Sequence, residues 1–175
     1  MAEIVLPETK PATEWVRGRP LQKVSPQREH ALAQSVFVSA LFAWAKRHRS
    51  GRVGTEWEFR LEPPGEMRRP LVPDVAYLSY ARIPRECESD ADIPRIAPDV
   101  AVEILSPGDA VADVEEKVRV YLAAGTEVVI LVDTRRRTAT ARRADGQRLF
   151  SEPERIRDPA LPGFAMQVGA LFKEP

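Results

Sequence analysis

Only one cysteine, Cys87, and only two histidines, His30 and His48, occur among the 175 residues. A lone thiol forms no disulfide framework, which suits a reducing compartment. His48 lies in a basic run and His30 has no Cys or Ser partner in view, so neither a zinc site nor a histidine-based triad is indicated. No Gly-rich phosphate loop of the P-loop type is present. The longest apolar stretch, Val36 to Ala45, is interrupted by Ser39 and is too short to cross a bilayer. The start, Met1-Ala2-Glu3-Ile4, lacks the basic residues and long apolar run of a secretory signal. A cytoplasmic location, away from membranes, is therefore expected. Charge of one sign is also missing: 26 Lys and Arg balance 26 Asp and Glu, so no global field draws the chain to nucleic acid. Aromatic residues, at 7% and mostly at core-like spacing, weigh against a sugar-sized, aromatic-lined cleft.

What is present describes a soluble globular chain, 43% hydrophobic and 30% charged, of a length typical of one domain. Residues 1–24 are rich in proline and charge and read as a partly irregular N-terminal extension, with a short hairpin possible around Gly18. Ser25-Pro26 reads as the start of a helix running to about His48 or Arg49, stopped by Gly51. Its apolar face holds Leu32, Val36, Ala40 and Trp44, with Ala33, Phe37 and Leu41 beside them. The alternation of Val53, Thr55, Trp57, Phe59 and Leu61 predicts one strand. Further strands are expected over 71–78, 100–105 and 126–133, with a long loop over 81–97. A helix is expected from about Val111 to Ala124, capped by Gly125. A hairpin around Asp145-Gly146 and a closing apolar segment from Pro159 to Phe172 complete the chain. The order of elements predicts an α/β fold, a mixed sheet flanked by helices with extra β-hairpins, in a single domain spanning 1–175. The helix between the third and fourth strands implies a parallel crossover.

Two acidic residues sit on Val-rich strands, where an unpaired carboxylate is costly. Asp74 lies in Val72-Pro73-Asp74-Val75-Ala76-Tyr77 and Glu103 in Val100-Ala101-Val102-Glu103-Ile104-Leu105. A divalent cation, or Lys117 on the following helix, would offset them. Asp99 competes with Asp74 for the role. However, four residues of strand separate Asp99 from Glu103 by roughly 13 Å, whereas Mg²⁺ holds its oxygens at about 2.0–2.1 Å. An aspartate on a neighbouring strand, about 4.8 Å away, can meet Glu103 instead. Asp74 is the choice, and Asp99 is left to start its strand or cap a turn. Lys117 is expected at the edge of a buried face made by Val111, Val114, Val118, Tyr121 and Leu122. From there its ammonium reaches the carboxylates, unless it forms a plain Asp113–Lys117 helix pair. Glu29 begins the stripe of the first helix and is an outer or second metal ligand on that reading. The competing reading is a first-turn glutamate favoured by the helix dipole.

These segments resemble a known family. Pro73-Asp74, then Val100-Ala101-Val102-Glu103-Ile104-Leu105-Ser106-Pro107, then Asp113, Lys117 and Tyr121-Leu122-Ala123-Ala124-Gly125, then Val129-Ile130-Leu131-Val132-Asp133 resemble the Uma-type family of restriction endonucleases. That family belongs to the PD-(D/E)xK nuclease superfamily. The resemblance runs from about Gly18 through Leu161-Pro162-Gly163-Phe164. It implies a restriction-endonuclease-like sheet core and Mg²⁺-dependent cleavage of DNA, with Mn²⁺ as an alternative ion. It makes Asp74 and Glu103 the acidic metal ligands, the Ile104 carbonyl a further ligand, and Glu29 a first-helix acidic partner. Position 105 is Leu where the superfamily pattern has lysine, so Lys117 stands as the relocated lysine, supported by Asp113 and Tyr121. The expected function is a metal-dependent endonuclease acting through a Mg²⁺-activated water, with Arg119 and Arg135 to Arg137 as candidates for holding the DNA backbone. Double-strand cleavage would call for a homodimer. The alternatives are a DNA-binding or structural domain that keeps the fold without turnover, and a metal-free glycoside hydrolase whose two carboxyls would stand about 5–10 Å apart.

Overall fold

The computed structural model describes residues 2–174. In chain order its elements are β1 (Thr13–Val16), β2 (Arg19–Gln22), α1 (Arg28–His48), β3 (Gly51–Thr55), β4 (Phe59–Leu61), β5 (Arg69–Leu71), β6 (Val75–Ser79), α2 (Glu88–Asp92), β7 (Val100–Leu105), α3 (Val111–Ala123), β8 (Val128–Asp133), β9 (Thr138–Arg143), β10 (Gly146–Ser151), β11 (Arg155–Ile156) and β12 (Met166–Gln167). A 3₁₀ turn, Val168–Phe172, closes the chain.

A mixed six-stranded sheet in the order β10-β9-β8-β7-β6-β3 forms the centre. β7 and β8 run parallel, joined by α3, as the crossover predicted; the other neighbours are antiparallel. Three two-stranded sheets, β1-β2, β4-β5 and β11-β12, surround it.

Strand periodicity sorts the core into two layers. Val75, Tyr77, Val100, Val102 and Ile104 face α1, where they meet Ala33, Phe37, Leu41 and Trp44 and the closing-segment residues Leu161, Phe164 and Leu171. Ala76, Leu78, Ala101, Val129 and Leu131 face α3, where they meet Val118 and Tyr121. By the same parity Glu103 falls on the α3 layer, while Asp74, one residue before β6, reaches across the sheet end to the Ile104 N–H and to His30 of α1. Phe37 and Leu41 are fully buried, and each contributes roughly 1.5–3 kcal/mol by leaving water.

Several boundaries differ from the sequence expectation for physical reasons. α1 begins at Arg28, beyond Ser25-Pro26, and its N-cap is Gln27 without a side-chain cap bond. Its C-cap is Arg49 in the left-handed region, not Gly51. Gly51 opens β3 instead, where a Cβ would stand 2.4 Å from the Leu78 carbonyl oxygen. The strand predicted across 53–61 is two: Glu56, at φ 48, breaks it, and β4 pairs with β5 in a separate sheet. The strand predicted over 71–78 is likewise interrupted at 72–74. The loop over 81–97 contains the short helix α2. Val111 is 78% exposed and does not join the buried face of α3, because it stands in the first turn with nothing packed over it. No described helix is long and apolar enough to cross a membrane.

Candidate active site

The break at 72–74 is where the site forms. Pro73 has no N–H to donate, and residues 72–74 belong to no ladder, so their polar groups find side chains. The Val72 N–H donates to Glu14 Oε1 at 2.8 Å, and the Val72 carbonyl accepts from Lys23 Nζ at 3.0 Å. The Asp74 carbonyl accepts from Gln34 Nε2 at 2.9 Å. The Asp74 side chain is thereby aimed across the end of β6. Since Val75 pairs with Val102, Asp74 stands opposite Glu103 when that antiparallel register is continued by one residue.

Asp74 and Glu103 are both buried, and their partners differ. Asp74 Oδ1 accepts from Lys23 Nζ at 2.7 Å. Its Oδ2 accepts the backbone N–H of Ile104 at 2.6 Å and lies 3.3 Å from His30 Nε2. Burial alone would raise the pKa of this carboxyl; the bond from His30 and the charges of Lys23 and Lys117 more than reverse that and hold it well below the ordinary range. Glu103 Oε2 accepts from Lys117 Nζ at 2.6 Å, and its Oε1 from the Tyr121 hydroxyl at 3.0 Å. Burial pushes Glu103 up to about 7; the neighbouring charges of Asp74 and Glu14 add to the rise, while Lys117 opposes it.

Lys117 is buried, not at the edge of its helix face as the sequence suggested. Its ammonium bridges Glu103 and, at 3.0 Å, Glu14 Oε2. Burial opposes its charge, but Glu103, Glu14 and Asp74 outweigh burial and raise its pKa, so it remains an ammonium. The competing reading of Lys117, a plain Asp113–Lys117 helix pair, does not hold. Asp113 accepts instead from Arg19 at 2.8 Å and Arg17 at 3.5 Å, which ties the first turn of α3 to the β1–β2 hairpin.

The structure therefore brings Asp74, Glu103, Ile104 and Lys117 together, with Tyr121 in support. It does not bring Glu29, which is exposed and does not line the cavity beside the cluster. The buried stripe of α1 runs through His30, Ala33, Phe37 and Leu41. Glu29 stands roughly a quarter turn from its centre at 3.6 residues per turn, where no neighbour covers it. Asp99 is a turn anchor, accepting from the Ser79 N–H and hydroxyl and from Arg82. Arg119 pairs with Glu66 and Glu116 and faces away from the cluster's cavity.

Sequence reasoning missed Glu14, Lys23 and His30. Glu14 shares strand parity with the buried Val16, a signal that its carboxylate points inward from the hairpin. His30 lies on the same helical stripe as Ala33 and Phe37. For Lys23, in an irregular segment, no sequence signal exists.

The cluster opens on a cavity of about 840 Å³. Its lining is acid-rich: Glu8, Glu56, Glu58, Asp109 and Asp113 join Glu14, Asp74 and Glu103, against Lys10, Lys23, Arg60 and Lys117. Among the described residues no three His, Cys, Asp or Glu side chains converge as a ready-made cage for a metal. Two carboxylates and a backbone carbonyl nonetheless suit Mg²⁺, which prefers oxygen and keeps several waters. Ile104 lines the cavity, and in an extended strand its carbonyl shares the edge of its N–H, the edge that meets Asp74. Burial, with the charges of Asp74 and Glu14 beside it, keeps Glu103 difficult to ionise, and a divalent cation would offset both. The residues fit the ion.

No curated protein matches the chain. A structure described as "a putative nuclease belonging to DUF820 from Anabaena variabilis ATCC 29413" is similar at a TM-score of 0.83 and 32% identity, covering 95% of this chain and 93% of that one. Residues 4–169 match the family described as "Uma2: Putative restriction endonuclease". The chain, nearly all of it within that match, belongs to the Uma2 family.

Proposed function

We propose that this protein is a metal-dependent endonuclease that hydrolyses DNA phosphodiester bonds. The observation that carries the reading is the gathering, at one buried end of the sheet, of Asp74 just before β6 and Glu103 on β7, with the Lys117 ammonium 2.6 Å from Glu103. Family membership and the nuclease-described neighbour support the same chemistry. Asp74, Glu103 and the Ile104 carbonyl would hold Mg²⁺ or Mn²⁺. Bound there, the ion would supply an acidified water and screening of phosphate charge. Lys117 keeps its proton, so it acts as a fixed positive charge that orients the water and offsets the charge gathering on the phosphorane. Glu14 and Tyr121 hold Lys117 and Glu103 in place. Water's oxygen bonds to phosphorus as the bond to the departing sugar oxygen breaks, and the new phosphate end and hydroxyl end share the water's hydrogens. The acid-rich lining argues for a cation as well, since without one it repels a phosphodiester.

Backbone contacts are assigned to Arg135 and Arg136; Arg137, the third candidate of that run, is held by Glu152 at 2.6 Å. Arg135 and Arg136 are exposed, on the turn after β8. Because Leu105 pairs with Asp133 in parallel register, that turn stands at the same end of the sheet as Glu103. A homodimer would supply the second cut of a duplex, and the single thiol agrees with a cytoplasmic setting.

The test is plasmid nicking with Mg²⁺ or Mn²⁺. Wild type is expected to nick, and Glu103→Gln and Lys117→Ala to lose about 100-fold or more, the scale of a removed charge-stabilising group. Equal nicking by all three proteins would mean that the site is wrong. DNA binding without nicking by any would favour the non-catalytic binding domain.

A further inference from the structure

The two lysines of the cluster are held very differently. Lys117 is carried by a helix and enclosed between Glu14 and Glu103. Lys23 lies one residue past β2, outside any helix or strand, and lines the cavity. Its ammonium sits in a cradle made only of oxygen: Asp74 Oδ1 at 2.7 Å, Glu56 Oε2 at 2.9 Å and the Val72 carbonyl at 3.0 Å. One wall of that cradle is open, because the Glu56 side chain is 46% exposed. Carboxylate and carbonyl oxygens are also what a hard divalent cation selects. An ammonium and a metal ion cannot share Asp74 Oδ1 at full strength: both are positive, and they would stand within a few ångströms of each other.

We propose that Lys23 is a tethered competitor for the metal: its ammonium and a divalent cation exclude one another at Asp74, so that loading requires Lys23 to withdraw. The inference rests on the metal-dependent reading above and adds what sets the threshold of loading. The Lys23 N–H is held by the Ala12 carbonyl at 2.9 Å, so the withdrawal is one of the side chain, whose four-carbon stem can swing past the half-exposed Glu56 into the cavity, a path that the enclosure between Glu14 and Glu103 denies Lys117. A competitor that fills its position nine times in ten weakens apparent affinity about tenfold, since apparent Kd scales inversely with the competent fraction.

Titration calorimetry with Mn²⁺ alone, on the full chain without DNA, tests this. Wild type should bind and Asp74→Asn should not. Lys23→Met should bind about tenfold tighter than wild type, while Lys23→Arg, which keeps the charge, should stay near wild type. Unchanged or weaker binding by Lys23→Met, with wild-type binding intact and dependent on Asp74, would overturn the competition and leave the nuclease reading standing. Failure of both wild type and Lys23→Met to bind would remove the metal reading itself, and this inference with it. Should Lys23→Met not fold, the wild-type chain decides. Saturating Mn²⁺ should raise acetylation of Lys23 by acetic anhydride several-fold, read by peptide mass spectrometry, while exposed lysines such as Lys46 stay constant. No change at Lys23 would contradict the proposal.

Discussion

Asp74, one residue before β6, and Glu103, on the neighbouring β7, are carboxyls pushed in opposite directions by their surroundings. The Ile104 N–H, His30 and Lys23 surround Asp74, whereas Glu103 is enclosed by the core, with Asp74 and Glu14 adding negative charge nearby. The difference has a sign in stability. Glu103 titrates near 4.5 in the unfolded chain and near 7 in the fold, so folding favours its protonated form. That contribution is full below the ordinary value and is lost as pH rises through about 7. The melting temperature of wild type should therefore drop between pH 5 and pH 8 more steeply than that of Glu103→Gln. The expected divergence is on the order of a few kcal/mol at most, or several degrees in Tm. Parallel profiles for the two proteins, by thermal unfolding across that range, would contradict the environment assigned to Glu103. At this scale the sequence made Asp74, Glu103 and Lys117 legible because each stands on, or beside, a strongly patterned element. Glu14 and Lys23 were not legible because their contacts are long-range: Lys23 meets Asp74 across 51 positions, and Glu14 meets Val72 across 58. Local periodicity says nothing about such pairs.

Among the elements, the β1–β2 hairpin matters more to the site than its pattern suggested. Read as the ordered part of an otherwise irregular extension, it in fact supplies Glu14 from one strand and Lys23 just past the other, and it grips α3 through Arg17 and Arg19. Its two-residue turn has Arg17 at φ 50 and Gly18 at φ 74, the primed geometry that matches strand twist. A β-branched residue at position 18 must take a left-handed backbone, at about 1–2 kcal/mol. Gly18→Val should thus lower Tm by only several degrees while reducing nicking tenfold or more, because Glu14 no longer steadies Lys117. Full activity with the same loss of Tm would show the hairpin to be a bystander. The central sheet was legible in outline, since β7, α3 and β8 each carry unambiguous patterns. The break at Glu56 was not, because alternation of Val53, Thr55, Trp57, Phe59 and Leu61 runs through it; the break at 72–74 had a local signal in Pro73, which cannot donate to a ladder.

For the whole molecule, the parallel β7–α3–β8 unit and antiparallel β6 bring Asp74 and Glu103 to one end of the sheet, where the proposed chemistry is placed. Arg135 and Arg136 border that end, and the basic run at the C-terminus of α1 does not. Lys46 is roughly 24 Å along the helix from His30 at 1.5 Å per residue. A neutral chain with an acid-rich cavity should engage DNA weakly unless charge is supplied locally. On the dimer reading, nicked circles should appear first, and linear product should rise more steeply than nicked product as protein concentration increases. A constant ratio of linear to nicked product across concentrations, by gel densitometry, would point to a monomer acting on one strand at a time. The most direct measurement of all is anomalous scattering from crystals soaked in Mn²⁺. The account predicts a peak bounded by the carboxylates of Asp74 and Glu103 and the Ile104 carbonyl oxygen, lost in Asp74→Asn. An ordered, intact cluster with no peak there, or with the ion bound elsewhere while nicking persists, would contradict it.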